Sequence, residues 1–337
     1  MVRWVGVLMP VSARTFKATG FMRHGGRLDA ARHAFPRAPQ PWIDLSTGVN
    51  PFAWPMRGIT ADLQHLPDPA HTTALEAAAA GSFGVPADRV VAVPGADIAL
   101  RLMPILTRAR SVAIVEPTYS GHRDAWAGTE MRAIDRASAA KSRADALVVV
   151  NPNNPDGAVV DASALQGARR WLIVDESFIE LQPQISIAKA IGNRTIVLRS
   201  FGKFFGLPGL RLGFVIAVPG VAARLRNMLG DWPVNAAAVA VGKKAYADKA
   251  WAQRTRAKLT EEAARLDKAL IRAGFESVGG TALFRLVRAD DAQERFRHLA
   301  RRGILVRPFA EQPDWLRFGL PSRQDWPRLR AALQDMR

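Results

Sequence analysis

Lys203 sits in an apolar run, SFGKFFGLPGLRLGF (residues 200–214), among phenylalanines and glycines, with Arg211 eight residues further on. Burying a lysine is costly unless its charge is paired or removed. A lysine kept neutral by such surroundings is a nucleophilic amine, able to condense with a carbonyl group. Other polar residues recur where apolar runs end. Ala96 and Asp97 follow VVAVPG, Thr118 and Tyr119 follow VAIVEP, and NPNNPDG, which contains Asn154, follows ALVVV. Asp175 and Glu176 follow WLIV, and Ser200 closes TIVLR. Each has a plain reading: a turn for PGAD, a turn cluster for NPNNPDG, a helix cap for Asp175, and a lysine whose tip reaches the surface. One chemistry uses them all.

Pyridoxal phosphate needs a lysine for its aldehyde and an acidic partner for its pyridine nitrogen. It also needs a phosphate cradle and an aromatic ring against its face. A helix opening at Ala96 and Asp97 would offer free N–H groups and a positive dipole end to the phosphate.

The elements that must position these residues are legible as a pattern. RVVAVPG (89–95), SVAIVEP (111–117), DALVVVNP (145–152), WLIVDES (171–177) and RTIVLRS (194–200) are nearly continuous in Val, Ile and Leu. Such runs suit strands buried on both faces. Their alternation with helical stretches predicts βα units in a mainly parallel sheet, whose ligands lie beyond the carboxyl ends of the strands. Residues 1–40 read as an N-terminal arm, 41–232 as a large α/β domain and 233–337 as a small C-terminal α+β domain. Within the last, 235–273 reads as one long helix ending at Gly274. TALFRLV (281–287) reads as a strand, DAQERFRHLARRG (291–303) as a helix, and ILVRPF and WLRFGL as further extended segments.

The totals exclude much. With no cysteine among 337 residues, disulfides, thiol nucleophiles and iron–sulfur clusters are ruled out. The six histidines form no H-E-x-x-H pair, so no metal site is expected. No G-x-x-x-x-G-K-[ST] loop is present. The net charge of +17 is spread along the chain, without a basic helix interleaved with aromatics. It is read as favouring small anions rather than nucleic acid. No apolar run approaches the roughly 20 residues of a membrane span. The start, MVRWVGVLMPVSARTF, is interrupted by Pro10 and lacks a convincing cleavage site, so a cytoplasmic location is expected.

Over roughly residues 20 to 330 the sequence resembles the fold-type I pyridoxal-phosphate enzymes, the aspartate-aminotransferase superfamily. The motifs are NPNNPDG, VDESFIEL and SFGKFFGLPGLRLGF, with WLRFGL towards the end. The resemblance implies that Lys203 holds the cofactor aldehyde and later shuttles protons, that Asp175 pairs with the pyridine nitrogen, and that Asn154 reaches the phenolic oxygen. It implies that Tyr119 stacks on the ring, and that Ser200, Arg211 and the backbone around Ala96 and Asp97 hold the phosphate. His24, Asn50 and Arg317 are the implied substrate contacts, and a homodimer is the implied assembly. Two families within the superfamily look nearest, the histidinol-phosphate aminotransferases and the L-threonine-O-3-phosphate decarboxylases of cobalamin biosynthesis. RHGGR in the arm, IDLSTGVNPF, and Phe178 where the transaminases usually carry tyrosine favour decarboxylation of a small phosphorylated amino acid. Leu66 departs from the pattern, since many relatives place there a tyrosine that reaches the neighbouring subunit's cofactor phosphate.

Overall fold

The computed structural model describes residues 21, 24–167 and 170–336. The apolar start and most of the arm's length lie outside these residues.

A short helix α1 (Leu28–Ala34) and a two-residue strand β1 (Ile43–Asp44) lead into α2 (Pro69–Phe83). Asp68 caps α2 by accepting from Ala70 N, with Pro69 at the first helical position. There follow β2 (Val90–Val93), α3 (Ala96–Thr107), β3 (Ser111–Val115), α4 (Gly121–Ala125), β4 (Glu130–Ile134), β5 (Ala146–Val150), β6 (Trp171–Asp175), β7 (Thr195–Ser200), the single-turn α5 (Phe201–Phe204) and β8 (Gly213–Ile216).

These strands form a seven-stranded sheet in the order β2-β8-β7-β6-β5-β3-β4. All neighbours run parallel except at β8, which is antiparallel to both β2 and β7. β2, β3, β5, β6 and β7 therefore all end on the same rim. Apolar side chains fill both faces. Val91, Val93, Ile114, Ile173 and Leu198 pack towards α3, while Ala92, Val149, Val174 and Val197 belong to the larger core on the other side. Two strands fall outside the five expected runs. β4 is an edge strand carrying Glu130 and Arg132, as edges exposed to solvent commonly do. β8 (GFVI) is buried and apolar but only four residues long, and it starts within the last two residues of the lysine motif.

After α6 (Pro219–Leu229) the expected single helix is two, α7 (Ala236–Ala247) and α8 (Lys249–Arg272). Asp248 makes the break. One carboxylate oxygen accepts from Trp251 N to cap α8, and the other accepts from Trp54 Nε1. The expected strand 281–287 is also divided. β9 (Glu276–Thr281) and β10 (Phe284–Arg288) form a hairpin whose turn is held by Leu283 N donating to Thr281 Oγ1. The chain continues through α9 (Ala292–Arg301), β11 (Ile304–Leu305), β12 (Arg307–Pro308), β13 (Trp315–Gly319) and α10 (Trp326–Gln334). β12-β13-β10-β9 make a four-stranded antiparallel sheet, and β11 instead pairs in parallel with β1. Among the described residues no helix is long and apolar enough to cross a membrane.

Candidate active site

At the shared strand rim, a cavity of about 380 Å³ is lined by His24, Ala96, Asp97, Tyr119, Asn154, Asp175, Ser200, Lys203 and Arg211, with Ser177 and Phe178 beside them. Asn50 and Arg317 are the two sequence-predicted residues outside this lining.

Each wall has a local cause. β2 turns into α3 through Gly95, whose φ of 93° suits glycine. A side chain there would also collide, since a Cβ would lie 2.8 Å from Arg211 Nη2. The first amides of α3, at Ala96 and Asp97, have no acceptor within the helix. Arg211 arrives from across the sheet in a left-handed conformation (φ 54°) and donates to Pro208 O.

β5 runs into the asparagine-rich turn, and the asparagines divide the work. The Asn151 side chain both donates to and accepts from the backbone of Val160, closing the loop. Asn153 donates to Pro117 O and to Asp156, and accepts from Thr118 Oγ1. Asn154 is left facing the cavity, its carboxamide oxygen accepting from Arg317 Nη1.

β6 delivers Asp175, almost fully buried. Its Oδ2 lies 3.0 Å from His122 Nε2 on α4, and its Oδ1 accepts from Ser177 N and Ser177 Oγ. Burial pushes the carboxyl up, but the His122 and Ser177 hydrogen bonds outweigh it and hold the group below its ordinary range. His122 is itself buried. The sequence reading missed it; its trace there is its place three residues after Tyr119, at the same strand rim.

β7 ends at Ser200, and one helical turn presents Lys203. The Lys203 Nζ sits 5.8 Å from the Phe178 ring centroid. Burial, then Arg317, Arg307 and Arg211, pull its pKa down to about 8, against the opposing Asp175. The neutral amine is therefore far more populated near neutral pH than the ordinary 10.5 would allow. Phe178 packs edge-on against Phe284, with centroids 5.0 Å apart. Tyr119 donates to Asp97 Oδ1, and its hydroxyl is pushed up to about 12 by burial and by Asp97. His24 lies over it, ring centroids 5.9 Å apart.

Asn50 has another task. It donates from Nδ2 to Phe204 O and accepts at Oδ1 from Phe52 N, while its own amide donates to Lys203 O. Its side chain braces the lysine turn from behind, rather than facing the cavity. Arg317 is buried between Asn154 and Ser46, donating to Ser46 O. Its partner across the β12–β13 ladder is Arg307, also buried and also missed by the sequence reading. Burial, then Arg307, push the Arg317 guanidinium well below its usual range, with Asp44 opposing. Burial likewise lowers that of Arg307. Among the described residues no cluster of metal-binding side chains occurs.

The family model for aminotransferase class I and II matches residues 40–333. The chain belongs to that family. Two curated relatives bracket it. The threonine-phosphate decarboxylase of Pseudomonas aeruginosa is 39% identical, the match covering 93% of this chain and 97% of the relative. A histidinol-phosphate aminotransferase of Mesorhizobium japonicum is 28% identical, covering 85% of each. Among solved structures, the histidinol-phosphate aminotransferase of Sinorhizobium meliloti, in complex with pyridoxal-5'-phosphate, superposes with a TM-score of 0.79 at 18% identity. That match covers 96% of this chain and 98% of the other. The class I and II aminotransferase fold thus extends over nearly the whole chain.

Proposed function

We propose that this family member is a pyridoxal-phosphate-dependent decarboxylase that converts L-threonine O-3-phosphate to (R)-1-aminopropan-2-yl phosphate and carbon dioxide, a step of cobalamin biosynthesis. The observation that carries this reading is the pair Arg307 and Arg317, directly opposite in the β12–β13 ladder and both buried. Like charges placed so repel, and burial removes the water that would screen them. An anion bearing more than one negative charge relieves both penalties, and the proposed substrate carries a phosphate and a carboxylate. The decarboxylase relative at 39% identity supports the same choice.

The residues suit pyridoxal phosphate. The bare Gly95 lets Arg211 approach the start of α3, where unpaired amides and a guanidinium surround space for a phosphate with Ser200 beside it. The buried Asp175 carboxylate suits a protonated ring nitrogen. When bound, this cofactor supplies an aldehyde carbon for amine exchange and a ring that accepts the electron pair left by departing carbon dioxide.

The chain's own residues do the rest. His122 and Ser177 keep Asp175 ionised, so that it holds a proton on the ring nitrogen. Tyr119, on the cavity wall, would cover one face of the cofactor ring. Arg317 fixes Asn154 through its carboxamide oxygen, and the amide nitrogen would be left to donate to the phenolic oxygen. Arg307 and Arg317 would hold the two anionic ends of the substrate with His24 above, and so would orient it for loss of its carboxylate. Choice of reaction then rests on orientation rather than on an added reactive group. Lys203, its pKa lowered to about 8, would hold the cofactor aldehyde and, once released from it, would be the amine placed to move a proton to the substrate carbon.

We further propose the division into a cofactor-binding region (41–232) and a smaller C-terminal region (233–337), action in the cytoplasm, and a homodimer. Leu63 and Leu66, 77% and 67% exposed, support the dimer, because large apolar side chains displayed together invite a partner surface.

Histidinol-phosphate transamination is the second reading, favoured by the relative at 28% identity. Phe178 distinguishes the two, because it offers the cofactor no hydroxyl. Incubating cofactor-loaded protein with L-threonine O-3-phosphate and following phosphorus resonances tests the proposal. A new phosphate monoester with the mass of the aminopropanol phosphate supports it, and unchanged substrate overturns it.

A further inference from the structure

Ser46 touches both the arm and the innermost arginine. Its Oγ donates to Asp44 Oδ1 at 2.5 Å and accepts from Gly26 N at 2.8 Å. Its amide also donates to Asp44 Oδ1, and its carbonyl oxygen accepts from Arg317 Nη2 at 2.8 Å. A carboxylate can only accept, so Asp44 fixes the direction of the hydroxyl proton and turns a lone pair towards the Gly26 N–H.

We propose that Ser46 is a positioning residue that couples the seating of His24–Gly26 over the cavity to the orientation of Arg317. Anion capture and the seating of His24–Gly26 then become one event. This rests on the decarboxylase reading for the identity of the anion, but not for the coupling itself.

Three observations support the coupling. Ser46 is 2% exposed, so water does not compete for its hydrogen bonds. Asp44 lies on β1, whose pairing with β11 ties it to the segment that immediately precedes Arg307. Both arginines and the arm therefore refer to one short piece of chain. Most directly, a Cβ on Gly25 would lie 2.3 Å from Ser46 O, the very atom that accepts from Arg317. Gly25 can pack this tightly on Ser46 only because it has no side chain. Any movement of Ser46 that accommodates a repositioned Arg317 is felt at Gly25 and Gly26, one and two residues from His24.

The test uses cofactor-loaded wild type, Ser46→Ala and Gly25→Ala. It reads amide exchange at Gly26, with and without L-threonine O-3-phosphate, together with KM and kcat. In the wild type the ligand should slow exchange at Gly26. In Ser46→Ala exchange should quicken about tenfold, matching the loss of one hydrogen bond, and the ligand should no longer slow it. KM should rise by a similar factor of about ten while kcat changes less than about threefold, as expected when binding rather than chemistry is weakened. Gly25→Ala leaves the hydroxyl in place and should reproduce both effects by forcing the contact apart. A lower melting temperature with KM and the ligand response at Gly26 unchanged would mean a merely structural serine and would overturn the proposal. If the wild type released no carbon dioxide, yet L-threonine O-3-phosphate slowed Gly26 exchange only while Ser46 was intact, the coupling would stand and the decarboxylase reading would fall.

Discussion

His122 Nε2 and Asp175 Oδ2 lie 3.0 Å apart with both side chains almost wholly out of solvent, one from the start of α4 and the other from the end of β6. Asp175 is held ionised, so the shared proton belongs on His122 Nε2. That fixes the tautomer, and it prepares a buried negative charge at the base of the cavity.

Replacing His122 by phenylalanine removes one hydrogen bond to a charged group, worth roughly 1.5–3 kcal/mol. Activity should fall at least about tenfold, and the acidic limb of the pH–rate profile should move to higher pH as the Asp175 carboxyl rises. Stability should follow the same group. A carboxyl whose folded pKa is depressed contributes stability above its unfolded value, near 3.9, and loses it as pH falls through the folded value. The stability gap between wild type and variant should therefore narrow in acid, as read by denaturant titration at pH 7 and at low pH.

Lys203 should behave in the opposite sense. Its folded pKa of about 8 lies below the ordinary 10.5, so an unfolded chain holds a proton there that the folded chain has released. Stability from this group rises with pH across the window from 8 to 10.5 and is missing below it. Lys203→Met should abolish turnover, yet melt at a higher temperature than the cofactor-free wild type at pH 7. That advantage should shrink as pH climbs through the window, which a calorimetric series would register.

Arg307 and Arg317 predict a ligand effect without catalysis. Inorganic phosphate should stabilise the cofactor-free protein, by about 2.7 kcal/mol at a hundredfold excess over its dissociation constant. Arg307→Met should relieve the cross-strand repulsion and weaken that response, while raising KM for the phosphorylated substrate. Thermal shifts over a phosphate series check the first two effects, and initial rates check the third.

Gly95→Ala should damage the phosphate cradle alone. The new Cβ meets Arg211 Nη2 and must adopt a φ near 93°, a strain on the order of 1–3 kcal/mol. Cofactor affinity, followed by absorbance titration, should drop about tenfold or more on that strain alone. Phosphate binding at the Arg307–Arg317 pair should be unaffected.

The five buried strands were legible because residues covered on both faces must be apolar, and the polar residues gathered where those strands end. β4 was not, because its charged edge carries no apolar run, and β8 was overlooked because its short apolar run GFVI begins inside the lysine motif. The break at Asp248 was overlooked: its local sign is an aspartate capping the second helix, and its other anchor, Trp54, lies far away in sequence. His122 and Arg307 escaped for a related reason. Their surroundings come from Asp175 and Arg317, which only the folded chain brings to them. Asn50 was expected as a substrate contact, and its hydrogen bonds to Phe52, Lys203 and Phe204, outside the cavity lining, could be read only in the folded chain.

The chemistry proposed for Lys203 and the paired arginines removes a carboxylate rather than transferring an amine. The direct measurement is carbon dioxide released from L-threonine O-3-phosphate by cofactor-loaded protein without any keto acid. Release many times the molar amount of enzyme is the predicted result. No release, together with loss of the cofactor's visible absorbance when histidinol phosphate is supplied instead, would contradict it and assign the site to transamination.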